Sequence, residues 1–203
     1  MYKRQGPLPI DAQGRCTSIA VGTYANDHHY PGEDWPLAPK SVRWGGRWSG
    51  TPFCIPFDAL ISDAIPNLVM AEKGFSVSHM ANGATRLQPL ILNLGQVAGL
   101  AAAMAVRQGC DLGDLAVESI QSALIHEPKA PAAVLPIWDW PLWHPHWVTA
   151  QEQGLAQPEH LAAMGCLSGT EASMLMPPGM NQAPHQSHEA VSYTHLTLPT
   201  RAQ

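Results

Sequence analysis

The chain has few charges and no concentration of positive charge. Only 13% of its 203 residues are Asp, Glu, Lys or Arg, and the formal net charge is −5. A protein that binds nucleic acid needs a basic surface to neutralise phosphates. The composition therefore argues against nucleic acid as a partner.

Cysteine is sparse too. The four cysteines, at positions 16, 54, 110 and 166, are far apart, and no CxxC pair occurs. Neither a zinc knuckle nor a redox dithiol is indicated, and we expect buried, reduced thiols and no bound metal. The chain starts without a hydrophobic signal segment, and the compartment is left open, with the cytoplasm preferred.

Both ends resemble a sequencing adapter. Residues 191–200, VSYTHLTLPT, resemble one reading frame of the transposon mosaic-end adapter of shotgun libraries, and residues 1–5, MYKRQ, resemble its reverse complement. We therefore set residues 1–5 and 191–203 aside. The expectation is a natural segment of about 6–190 from a longer gene of metagenomic, bacterial origin. The alternative is a genuine terminus that matches by chance.

The strongest structural pattern is a long helix of small and apolar residues between Pro89 and Gly109. Proline suits the first helical turn, glycine the position after the last turn, and Arg107 complements the dipole at that end. Apolar residues lie on both faces, so we predict a helix buried on all sides. Asn93 and Gln96 interrupt the apolar run, which is too short for a membrane span.

The remaining pattern alternates short apolar runs with turn residues, and a Pro/Trp-rich stretch follows residue 128. That stretch is incompatible with a regular helix through Trp147, and we expect an extended arm whose aromatic side chains dock on the main body. We predict strands at 17–24, 53–57 and 67–71, a helical turn at 58–63, loops at 25–50 and 76–87, and helices at 114–126 and 157–164.

Residues 15–125 resemble the C-terminal portion of FAD-dependent oxidoreductases related to glutathione reductase-like and fumarate reductase-like flavoproteins. VGTYANDHHYPGE is similar to a G-S-Y-x-x-D-x-H loop, IPFDALI to I-P-Y-R-x-L-I, and IPNLVMAEKGFSVSH to N-L-L-V-A-G-R-x-x-S-x-S-H. The most specific match is ATRLQPLILNLGQVAGLAAAMAVRQG, where loop, glycines and helix length agree. Phe57, Asp58 and Glu72 depart from the family's Tyr, Arg and Gly.

The resemblance implies an α/β fold: a partial FAD-binding, Rossmann-like fold with an incomplete substrate domain and an irregular Pro/Trp-rich C-terminal arm. No G-x-G-x-x-G follows a strand, as expected of a fragment without its ADP-binding half. The implied division is 6–66 for part of the substrate or cap domain, 67–127 for the C-terminal part of the FAD-binding domain, and 128–190 for a partly disordered extension.

The resemblance also implies a set of site residues. The start of the Pro89 helix would face the flavin with its N–H groups, and Gly95 and Gly99 would let the helix pack on the cofactor-binding sheet. Plain helix–helix packing is the alternative for both glycines. The implied cofactor-binding residues are Ala71, Glu72, Ser78, Pro89, Gly95, Gln96 and Gly99.

The implied catalytic residues are His79, Arg86, His29 and Asp27. His79 would be the acid/base and Arg86 the partner of a carboxylate or of the flavin anion, although a loop-bracing His and a surface Arg remain open. Asp27 would orient His29 at the rim of the substrate cavity. Adjacent histidines in a strand point to opposite faces, so a metal cluster with His28 and Glu33 is disfavoured.

The expected function is therefore that of a fragment of a FAD-dependent oxidoreductase. It would transfer hydride between FAD and an unidentified small organic substrate. Two alternatives stay open: a non-enzymatic binding or structural module built on the Trp/Pro-rich arm, and an inactive flavoprotein relative. The oligomeric state is left open.

Overall fold

The computed structural model describes residues 8–24, 52–137 and 140–158. Two strands, β1 (Ser18–Gly22) and β2 (Phe53–Pro56), form an antiparallel sheet in this part of the chain. The register pairs Gly22 with Phe53 at one end and Ser18 with Pro56 at the other, with an irregularity between Ser18 and Ala20. The predicted strands at 17–24 and 53–57 are confirmed.

Four α-helices accompany the sheet. They are α1 (His79–Thr85), α2 (Gln88–Gln108), α3 (Val117–Ile125) and α4 (His146–Ala156), and short 3-10 turns occur at Phe57–Ala59 and Leu112–Asp114. Helices α2 and α3 both pack on β1, and α4 packs on α3. The described segments thus combine α-helices with a small antiparallel sheet.

The ends of α2 follow the pattern predicted for them. Pro89 lies in its first turn, and Arg107 lies in its last turn. Gly109 ends the helix in the left-handed conformation, with φ of 64°, and its N–H bonds to the carbonyl oxygen of Ala105. Glycine adopts this conformation without the cost that a Cβ would impose.

The prediction that α2 is buried on all sides is wrong for the part of the chain that the structure describes. Leu92 is 69% exposed and Val106 83% exposed on one face. The sheet and α3 cover the opposite face, where Leu94, Val97 and Ala101 are fully buried. Helix α2 is long and apolar enough to cross a membrane by length and composition alone. The core helices of soluble proteins also meet these two criteria, and 39% of the most apolar window of α2 is buried.

One hydrophobic core joins the described segments. Gln121 of α3 is buried within it, and its Nε2 donates to the carbonyl oxygens of Cys16 and Ser18 at 2.7 and 2.9 Å. These bonds tie α3 to β1. The core draws on residues below 66, between 67 and 127, and above 128, among them Ile19, Leu60, Leu94, Ile120, Val134, Leu135 and Trp147. The division of the chain at 66 and 127 stays a prediction.

The stretch after α3 is fixed mainly through its backbone. Gln151 of α4, fully buried, accepts hydrogen bonds from the N–H groups of Val134 and Leu135 and donates to the carbonyl oxygen of Leu135. Ser18 Oγ donates to the carbonyl oxygen of Val134. Of the tryptophans, Trp147 is buried, whereas Trp143 is 70% exposed.

Three local predictions are wrong. Residues 67–71 form only an isolated bridge, between Val69 and Ile61, because a buried strand needs neighbours on both sides. The predicted loop at 76–87 contains α1. Helix α4 begins at His146, directly after Pro145, where we excluded a regular helix. The helix predicted at 157–164 lies outside the described segments except for its first two residues.

The N-terminal turn is joined to α3 by surface charges. Arg15 contacts Asp11 at 2.8 Å and Glu118 at 3.0 Å. Hydrogen bonds from the backbone N–H and side chain of Arg15 lower the pKa of Asp11, and Asp11 in turn raises the pKa of Arg15. Burial raises the pKa of the neighbouring Cys16 thiol.

Candidate functional site

A cleft of about 350 Å³ lies at the beginning of α2. Its walls come from three parts of the chain: the end of β1 at residues 21–24, the start of α2 with the preceding Ala84 and Leu87, and residues 130–133 with Leu142. Two of the walls follow from element ends, because the strand stops at Gly22 and the helix starts at Gln88. The cleft is therefore a candidate ligand site.

The start of α2 gives this cleft a positive field. Its N-cap is Leu87, and no side chain of the described residues caps the helix. The first-turn N–H groups of any helix lack intrahelical partners and carry a partial positive charge. The wall at this end therefore favours a ligand that carries, or acquires, negative charge.

Asn93, one turn into α2, adds a polar group. Its Nδ2 is buried and has no hydrogen-bond partner among the described residues. A buried donor without a partner costs free energy, on the order of 1–3 kcal/mol, and an acceptor on a ligand would recover it once the side chain turns its amide toward the cleft. Asn93 lines the cleft, and we did not single it out from sequence. The sequence signal for Asn93 was a single amide side chain directly after three apolar residues of the helix.

Of the predicted cofactor residues, Pro89 and Gln96 line the cleft. The side chain of Gln96 is already engaged, since its Nε2 donates to the carbonyl oxygen of Ala130 at 2.7 Å. The structure thus gives Gln96 a role that we did not predict: it joins α2 to the wall at residues 130–133.

Three further predicted residues, Ala71, Glu72 and Gly95, lie near one another but do not line the cleft. A Cβ built on Gly95 would lie 3.7 Å from the carbonyl oxygen of Ala71, so helix and turn approach closely there. Glu72 follows in the same turn and is exposed. Gly99, one helical turn after Gly95, is exposed, and no atom lies within 4 Å of a Cβ built on it.

Helix α1 fixes the positions of three predicted residues, Ser78, His79 and Arg86. Ser78 Oγ accepts a hydrogen bond from the N–H of Ala81 at 3.2 Å and caps the helix. His79 is the first residue of α1, and exposed Arg86 follows its last residue. Seven residues of α-helix rise about 10 Å, so the two backbone positions are separated by that distance.

The other two predicted catalytic residues, Asp27 and His29, lie outside the described segments, as do His28 and Glu33. Within the segments that are described, no group of three or more His, Cys, Asp or Glu side chains could hold a metal ion.

The cleft has the size and the polarity of a small-ligand site. Its volume lies near the lower end of the range of about 300–1,000 Å³ typical of ligand pockets. An uncapped helix start and a buried amide donor suit a planar ring with carbonyl acceptors. The sequence has no G-x-G-x-x-G turn for a pyrophosphate.

Comparison with known proteins gives one match. A sequence model of the family described as FAD dependent oxidoreductase matches residues 10–124, more than half of the chain. The matched region includes both strands, α1, α2 and most of α3, and it stops before the wall at residues 130–133. Searches of curated proteins and of solved structures found no match.

Proposed function

Because this chain belongs to the FAD-dependent oxidoreductase family, whose cofactor is FAD, we propose that the cleft at the start of α2 receives the ring end of that cofactor. The observation that carries the proposal is the uncapped start of α2 beside the unpartnered amide of Asn93. When bound, FAD supplies hydride transfer at its N5 position.

The residues of the cleft would act by holding and polarising the ring. The first-turn N–H groups of α2 would favour negative charge on the ring carbonyl side, and the Asn93 amide, turned toward the cleft, would donate to a ring acceptor. Pro89 starts the helix at this point. Ala71, Glu72 and Ser78, which lie before α2 in the chain, are proposed to border the rest of the cofactor.

We further propose separate tasks for the two ends of α1. His79 would hold or accept a proton at the substrate, and Arg86 would bind an anionic group. A separation of about 10 Å along α1 means that they would act on different atoms of a small organic substrate. Asp27 and His29 are proposed to complete the rim.

The exposed face of α2 supports a proposal about the parent protein. The family implies a Rossmann-like α/β fold, of which we propose that the described elements are the C-terminal part. Gly99 and Val106 would then pack on the cofactor-binding sheet of a longer chain, of the glutathione reductase-like or fumarate reductase-like type. Their exposure here supports this assignment.

The ring-binding step can be tested on the chain itself with riboflavin, which carries the ring without the nucleotide. Quenching of its fluorescence gives the dissociation constant. Asn93→Leu removes one donor to the ring, so we expect affinity to fall about three- to tenfold. Gln108→Met, a neutral change at the other end of α2, should leave affinity unchanged.

Equal affinities for the wild type and Asn93→Leu would contradict the proposed contact. For the parent protein, we expect flavin absorption that bleaches on anaerobic addition of a reducing organic substrate and returns with an electron acceptor. A folded parent without bound flavin would refute the proposed function.

A further inference from the structure

We infer that residues 130–133, together with Leu142, form a specificity wall for the flavin ring, and that Gln96 is the positioning residue that fixes this wall. The wall lies beyond residue 124, where the family match ends. The inference rests on the proposed function, since it names the part of the same cleft that selects the ring.

The geometry ties the wall to the matched region by a short bond. Gln96, on the third turn of α2, donates through Nε2 to the carbonyl oxygen of Ala130 at 2.7 Å. Two residues later, the N–H of Ala132 bonds to the carbonyl oxygen of Leu124 at 3.0 Å. The wall is therefore held from α2 on one side and from the end of α3 on the other.

The next residues extend this attachment into the core. The backbone of Val134 and Leu135 is bonded to the buried Gln151, and Ser18 Oγ also donates to Val134. Leu142 lies further along the chain and packs against the core while lining the cleft. A segment fixed in this way is a preorganised surface.

The chemistry of the wall is uniform. Ala130, Pro131, Ala132, Ala133 and Leu142 carry no polar side chain, whereas the opposite side has the helix start and Asn93. A ligand bound between them needs one apolar face or edge and one edge with acceptors. A flavin ring has both, so the wall would accept the apolar edge and leave the carbonyl edge for α2.

The test compares Gln96→Met, which keeps length and removes the hydrogen bond, with Gln108→Met on the same helix. Hydrogen exchange of the backbone amides at 130–135 reports the position of the wall without any ligand. Riboflavin titration reports its effect on the cleft. We expect Gln96→Met to speed exchange about three- to tenfold and to weaken riboflavin to a similar degree, and Gln108→Met to do neither.

A second pair of variants tests the wall directly. Leu142→Ala removes an apolar contact from the cleft, so riboflavin should bind several-fold more weakly. Trp143→Ala, at the exposed neighbour, should bind like the wild type. Unchanged exchange in Gln96→Met, or unchanged affinity in both Gln96→Met and Leu142→Ala while the wild type binds riboflavin, would overturn the inference alone. A wild type that does not bind riboflavin would overturn the proposed ring site and this inference with it.

Discussion

The pairing of Gly22 with Phe53 makes a specific stability prediction for Gly22→Ala. A Cβ at Gly22 would lie 2.2 Å from Phe53 Cζ and 2.3 Å from Cε2. The ring would have to move by roughly 1–2 Å to reach ordinary carbon–carbon separations. Phe53 is only 4% exposed, and the adjoining cavity has a volume of about 20 Å³, so relief is partial.

Overpacking of this kind costs about 1–3 kcal/mol. For a chain of this length, each kcal/mol lowers the melting temperature by about 2–4 °C, so we expect a fall of about 2–12 °C by calorimetry. Gly99→Ala is the matched control, since its Cβ would meet nothing and alanine favours helix by about 1 kcal/mol. That variant should melt slightly above the wild type.

The cause can be isolated with a double-mutant cycle. Phe53→Leu removes the ring atoms that clash, so Gly22→Ala should cost about 1 kcal/mol less in the Phe53→Leu background than in the wild type. If Gly22→Ala melts with the wild type, or if the two substitutions add, the steric reasoning is refuted.

Three other predictions concern stability and reactivity. Gln151→Met leaves the N–H groups of Val134 and Leu135 without their partner, at about 1–3 kcal/mol each, and should lower the melting temperature far more than Gln153→Met on the same helix. Equal melting temperatures would contradict the role of Gln151 in fixing these two residues. Because the pKa of Asp11 is lowered, its stabilising effect is present above the unfolded value of 3.8 and is lost as pH falls through the folded value. The melting temperatures of Asp11→Asn and the wild type should therefore differ at neutral pH and converge in acid. A difference in melting temperature that does not change with pH would disprove the link between Asp11 ionisation and stability. Iodoacetamide at neutral pH should label half-buried Cys110 before Cys16, whose thiol is buried and has a raised pKa; peptide mapping showing the reverse order would disprove this.

The sequence was most informative where one residue type has a single conformational use. Pro89 and Gly109 predicted both ends of α2 to within one residue. The pattern at 114–126 predicted a helix, and α3 lies within those bounds at Val117–Ile125. These are local effects of backbone geometry and periodicity, which need no knowledge of the rest of the chain.

Predictions failed where the outcome depends on neighbours. The apolar run at 67–71 resembles a buried strand, yet only Ile61 pairs with it. Helix α1 was missed because seven residues with a glycine give a weak helical pattern, although Ser78 was an available N-cap signal. In the site, Pro89 and Gln96 line the same cleft, and their role toward a cofactor stays a prediction. The bond from Gln96 to Ala130 joins residues 34 apart and leaves no local pattern.

The attachment of residues 130–135 has a consequence for how this protein can change over evolution. Gln96, Ser18 and Gln151 hold that stretch through its peptide groups, which every amino-acid sequence supplies. Substitutions at positions 130, 131 and 133, whose side chains are not fully buried, leave those bonds in place. The lining of the cleft can therefore drift in size and polarity without loosening the fold, which makes ligand preference the easiest property of this molecule to diversify.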